Sequence, residues 1–188
     1  ILIDPPRGDG PYPELSMLDQ LGARHKGGYN FHKLADSSGT INSPKTPNPS
    51  GKENFRAGFK KRADTPLPTK EFYQQMSHDF GIQRVVILNG NPAGLTSKAA
   101  AKAAGLEVVY IPTGDDFDKT NLDLTDTDWA EIKSALDKGN TLIHCHHGAD
   151  RTGGTVGRYY IEKRWMDEDE AIKDANKYKS GGMLSGPL

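Results

Sequence analysis

Thr141-Leu142-Ile143-His144-Cys145-His146-His147-Gly148-Ala149-Asp150-Arg151-Thr152-Gly153 is the stretch on which the fold turns. Its first three residues are a short apolar run of strand type. Residues 154 to 166, with Tyr159, Ile161 and Met166 among their apolar positions, read as the helix that follows. Strand, glycine-bearing loop and helix in that order make the turn at which an α/β sheet binds its ligands. Gly148 and Gly153 let successive backbone N–H groups point inward as a nest, and the helix adds the positive end of its dipole. Phosphate suits such a pocket. The same field favours the thiolate of Cys145, while Arg151, six positions later, supplies a planar fork for two phosphate oxygens.

Upstream the pattern is regular back to residue 69. Thr69 is placed as an N-cap, Phe72, Tyr73, Met76 and Phe80 recur at helical spacing, and Gly81 is a stop signal. The run Val85-Val86-Ile87-Leu88 reads as a buried strand, followed by an alanine-rich helix opening at Thr96 or Ser97 and closed by Gly105. Val108-Val109-Tyr110-Ile111 is a second strand ending at Pro112, and a third helix runs from about Asp126 through Trp129, Ile132 and Leu136 to Gly139. Strand and helix alternate, which predicts an α/β fold: a single domain with a mostly parallel central sheet flanked by helices. Residues 1 to 68 hold nine of the 12 prolines and eight of the 21 glycines, so they are expected to form an irregular segment wrapping the core built by residues 69 to 188.

Composition narrows the function. The length of 188 residues suits one domain, and a mean hydropathy of -0.68 marks a well-solvated surface. A formal net charge of -1 gives no basis for nonspecific nucleic-acid binding, and no apolar run is long enough to span a membrane. The single cysteine, Cys145, excludes an internal disulfide framework. Ile1 stands where an initiator methionine would, so processing or trimming is expected ahead of it, and a cleaved signal peptide with periplasmic or secreted location is left open.

The Cys-x5-Arg-Thr-Gly loop, with His144 ahead of it, resembles the signature of the cysteine-based protein tyrosine phosphatase superfamily, in particular its compact dual-specificity members and the tyrosine-phosphatase-like phytases. The resemblance implies that Cys145 attacks phosphorus to form a phosphocysteine and that Arg151 and the backbone of His146, His147, Gly148, Ala149 and Asp150 hold the transferring group. It further implies that the Thr152 hydroxyl assists the sulfur as leaving group, and that His144 orients the loop and helps hold the thiolate. A general acid is needed for a poor alkoxide leaving group. Beyond strand Val108 to Ile111 lies Pro112-Thr113-Gly114-Asp115-Asp116-Phe117-Asp118, about 30 residues before Cys145, where this superfamily carries its aspartate loop. Asp115 has the better register and Asp116 is the reserve; Asp126 and Asp128 read as carboxylates at a helix start. Thr113-Gly114 stands where the large tyrosine phosphatases have Trp-Pro.

The expected partner is a phosphorylated small molecule or a phosphoprotein, with no cofactor. Residues 45 to 62 carry Lys45, Lys52, Arg56, Lys60, Lys61 and Arg62 against Glu53, a local charge of +5, and Asn54-Phe55-Arg56 resembles a short segment of the tyrosine-phosphatase-like phytases. Arg56 and Lys60 are therefore candidates for a basic substrate rim suited to inositol polyphosphates, against the plainer alternative of a solvated basic loop. A protein tyrosine or dual-specificity phosphatase is the neighbouring expectation. A phosphate-binding module without turnover belongs to another class, and it has no need of a thiolate. Adjacent His144, Cys145, His146 and His147 project in different directions and do not make a zinc site, whose ligands are usually spaced by about two to four residues. Rhodanese and arsenate-reductase loops share the Cys-x5-Arg spacing but do not require the aspartate loop upstream.

Overall fold

The computed structural model describes residues 29–35, 53–58, 67–113, 124–145 and 150–176. In chain order these form β1 (Tyr29–Lys33), β2 (Asn54–Gly58), α1 (Lys70–Phe80), β3 (Arg84–Ile87), α2 (Ala93–Ala103), β4 (Glu107–Tyr110), α3 (Asp126–Lys138), β5 (Thr141–Cys145), α4 (Asp150–Glu162) and α5 (Glu168–Asn176). The sheet has five strands in the order β1-β2-β5-β3-β4. β5 pairs parallel with β2 on one side and β3 on the other, β4 extends the sheet in parallel, and β1 is the one antiparallel edge among the described residues. The α/β fold read from the sequence is the fold observed.

Helix ends follow local chemistry. Thr69 Oγ1 accepts the N–H of Phe72 at 3.2 Å, and Gly81 closes α1 at φ 69°, in the left-handed region that glycine enters at no steric cost. Thr125 and Asp128 form a capping box at the start of α3, each side chain accepting the other's backbone N–H at 3.1 Å. Asp128 is thus a helix-start carboxylate, as its position suggests. α2 begins at Ala93, three residues ahead of the expected Thr96, because Pro92 already carries a near-helical φ; the Thr96 hydroxyl then falls inside the helix and donates to the Pro92 carbonyl.

Period-two alternation along the strands divides the core in two. Phe55, Ala57, Val85, Ile87 and Leu142 face α1 and α2, where Phe72, Tyr73, Met76 and Ala101 cover them. Val86, Leu88, Ile143 and Cys145 face α3 and α4, under Trp129, Ile132, Leu136, Val156, Tyr159 and Tyr160. Stacked Phe31 and Phe55, with centroids 5.4 Å apart and partly buried Phe80 tilted against both, close the first layer, Phe31 and Phe55 each contributing roughly 1.5–3 kcal/mol by burial. Gly94 lets α2 approach β3 and β4 closely, since a Cβ there would stand 2.3 Å from the Asn89 carbonyl oxygen.

Further features depart from the sequence reading. Strands β1 and β2 arise within the Pro- and Gly-rich first 68 residues, and α5 follows α4 as a separate helix opened by Asp167, whose side chain accepts the N–H of Glu170 at 2.8 Å. α4 itself starts at Asp150 instead of Gly154 and ends at Glu162, before Met166. The earlier start matters most, for it moves Arg151 and Thr152 from a loop into the first turn of a helix.

Candidate active site

Central β5, all five of whose residues are buried, delivers Cys145 to the carboxyl end of the sheet between the ends of β2 and β3. Gly58 of β2 is its register partner, so no side chain from that strand crowds the sulfur. Cys145 is 2% exposed and lies on the α3 and α4 side. From the first turn of α4 the Thr152 hydroxyl donates to Cys145 Sγ at 3.0 Å. A hydrogen bond of this kind stabilises negative charge on sulfur, the charge it carries both as attacking thiolate and as leaving group.

Arg151 is 3% exposed and does not point to bulk water. Its Nη1 donates to the carbonyl oxygen of Leu88, just past β3, at 3.3 Å and to that of Thr113, just past β4, at 3.1 Å. Among the described residues no acceptor is taken by Nε or Nη2. The edge formed by those two nitrogens is the one that meets two oxygens of a phosphate in parallel. The helix that carries Arg151 adds the favourable end of its dipole to the same position.

His144 precedes Cys145 in β5 and therefore faces the other side of the sheet. Its Nδ1 pairs with Asn89 Oδ1 at 2.9 Å and its Nε2 with the Tyr73 hydroxyl at 2.8 Å. A carbonyl oxygen can only accept, so Nδ1 carries the proton. Complete burial pushes the Tyr73 hydroxyl far above its ordinary pKa, with the Ser97 hydroxyl acting in the opposite sense, so the tyrosine keeps its proton beside Nε2. Both ring nitrogens of His144 are engaged. Its described bonds tie Asn89 and Tyr73 to the strand that carries Cys145.

The structure thus brings together Cys145, Arg151 and Thr152, with His144 behind them. Asp150 opens α4. Asp115, Asp116, His146, His147, Gly148, Ala149 and Lys60 lie outside the described residues. Arg56 sits in β2 opposite Ile143 and is 1% exposed, held within the sheet layer and not on a solvated basic loop. Asn89, Tyr73 and Thr113 were not legible as site residues: Tyr73 reads as one more core aromatic, and the other two as ordinary polar residues ending strands. Among the described residues no three His, Cys, Asp or Glu side chains cluster as a metal site.

No protein-family model matches this chain, and no curated protein sequence is similar to it at a significant level. Solved structures do match. The kinase associated phosphatase, in a form with serine in place of its catalytic-site cysteine, superposes with a TM-score of 0.54 at 16% identity, covering 71% of this chain and 79% of that one. The phosphatase PTPMT1 gives 0.51 at 20% identity over 68% and 78% of the two chains, and Tk-PTP in its active form 0.50 at 21% over 64% and 81%. The chain has the fold of the cysteine-based tyrosine and dual-specificity phosphatases.

Proposed function

We propose that this chain is a cysteine-dependent phosphomonoesterase. The observation that carries the reading is the 3.0 Å bond from Thr152 to the sulfur of Cys145, made from the same helical turn that holds Arg151 buried, with no described acceptor on its Nε and Nη2 edge. A module that merely bound phosphate would gain nothing from a hydroxyl aimed at sulfur. In the first step Cys145 thiolate attacks phosphorus, the ester P–O bond breaks, and the departing alkoxide takes a proton from a carboxylic acid, assigned to Asp115 with Asp116 as the alternative. Water then attacks the phosphocysteine, the carboxylate accepts its proton, and sulfur departs as the thiolate that Thr152 stabilises. Arg151 and the loop amides hold the equatorial oxygens in both steps.

Asp115→Asn is expected to lower turnover by about 10² to 10⁴ for an alkyl phosphate and by much less for an activated aryl phosphate, whose leaving group needs little protonation. Steady-state rates on the two substrates check this, and the same dependence in Asp116→Asn alone would move the acid by one residue.

For the substrate, the described residues weaken the case for an inositol polyphosphate, since Arg56, one of the two rim candidates, is buried in a strand. A phosphorylated protein side chain fits at least as well, and the alternative rests on the remaining charge of residues 45 to 62, Lys60 among it, and on His146 and His147. Phosphate release from a phosphotyrosine peptide, a phosphoserine peptide and inositol hexakisphosphate decides between them. Hydrolysis of the peptides is expected; a rate on the inositol ester exceeding both would reverse the assignment. No helix among the described residues is long and apolar enough to cross a membrane.

A further inference from the structure

We infer that Thr113 is a positioning residue, whose hydroxyl sets the guanidinium of Arg151 for the phosphoryl group. The inference rests on the phosphomonoesterase reading of the site and adds to it the device that orients its cation.

The carbonyl oxygen of Leu88 receives three donors: the Thr113 hydroxyl at 3.0 Å, the Thr113 backbone N–H at 3.3 Å and Arg151 Nη1 at 3.3 Å. The Thr113 carbonyl receives the same Nη1 at 3.1 Å. Two carbonyls from different strand ends are thereby held side by side as a cradle for one nitrogen, and both N–H groups of Nη1 are used. That leaves Nε and Nη2, the edge needed for paired contact with an oxyanion, as the part of the guanidinium free to face the pocket. Holding a long side chain by the nitrogen that the fork does not use removes its rotational freedom before the ligand arrives.

The threonine side chain is what closes the cradle. With 4% exposure it is as buried as the arginine, and its hydroxyl makes a shorter bond to Leu88 than its backbone N–H does. A threonine just past an edge strand would ordinarily be a surface residue. Its burial against a carbonyl that also binds the signature arginine ties together the ends of β3 and β4 and the first turn of α4. Without the hydroxyl, the Thr113 carbonyl is held to Leu88 by one long backbone bond, and Nη1 loses a fixed acceptor.

Thr113 also precedes Asp115 by two residues, so an effect through the general acid has to be separated from one through Arg151. The two differ in their dependence on the leaving group. Arg151 acts on the transferring phosphoryl group, whatever departs from it. Thr113→Val, which keeps the shape and removes the hydroxyl, is therefore expected to lower kcat/KM by about tenfold, equally for an activated aryl phosphate and for an alkyl phosphate. Thr113→Ser should restore the rate, and calorimetry should show weaker binding of inorganic phosphate to Thr113→Val but not to Thr113→Ser. Thr113→Ala provides the same comparison where valine prevents folding. An unchanged rate, a loss confined to the alkyl ester, or unchanged phosphate affinity would overturn the inference. If the wild type binds phosphate but releases none from any ester, while Thr113→Val still weakens phosphate binding, the phosphomonoesterase reading fails and the cradle stands.

Discussion

Cys145→Ser is expected to abolish turnover on every phosphate ester while leaving ester binding measurable. A serine hydroxyl stays protonated at neutral pH, so the nucleophile is lost, whereas the contacts that hold the ligand are not. Arg151 keeps its two carbonyl partners, and the first turn of α4 keeps its orientation at the end of β5. Removal of a group on which the covalent step depends typically costs many orders of magnitude in kcat, with residual catalysis from binding alone. Stopped assays of phosphate release, paired with calorimetric binding of a slow ester, separate the two quantities. Retained turnover would remove Cys145 from the chemistry, and lost binding would mean that the serine variant had disturbed the loop itself.

Arg151→Lys is expected to follow closely, with a fall in kcat/KM of about 10² or more. An ammonium on a flexible stem cannot present two parallel N–H groups to two oxygens, and it cannot reproduce the anchoring of Nη1 by Leu88 and Thr113 while also meeting the ligand. The lysine variant should bind inorganic phosphate less tightly than the wild type. A rate within a few-fold of the wild type would show that the planar fork is not used.

How far the sequence discloses this arrangement depends on whether the determining contacts are local. Thr69 and Gly81 bound α1 from within one helical turn of its ends, and Val85 to Leu88, Val108 to Ile111 and Thr141 to Ile143 are apolar runs that need burial on both faces, so these elements are legible. β2 is not. Asn54-Phe55-Arg56-Ala57-Gly58 contains a buried arginine and a glycine, and it becomes a strand because β5 offers five parallel partners from 87 residues further on at Thr141. Gly153 reads as loop and Gly154 as the helix start because glycine is a poor helix former, yet Val156, Tyr159 and Tyr160 bury against the sheet and carry the helix back to Asp150. α5 had a readable signal in Asp167 and Glu170, a reciprocal cap of the same form as that of α3.

The same division holds at the site. Cys145, Arg151 and Thr152 lie within eight consecutive residues, so their spacing is legible in the sequence as the pattern of an anion-binding loop. The bonds that orient them are long in sequence: Asn89 to His144, Tyr73 to His144, and Arg151 to Leu88 and Thr113. None of these partners differs in type from an ordinary core or strand-end residue. Only the sheet order, with β5 inserted between β2 and β3, makes them neighbours.

The central claim is that the sulfur of Cys145 carries the phosphoryl group during turnover, and mass spectrometry of the protein quenched in acid during steady-state hydrolysis tests it directly. One phosphoryl group is expected on the peptide containing Cys145, absent from the Cys145→Ser variant and more abundant in a variant slowed at the hydrolytic step. An active enzyme that never shows that adduct, under quenching shown to preserve a phosphocysteine, would contradict the account.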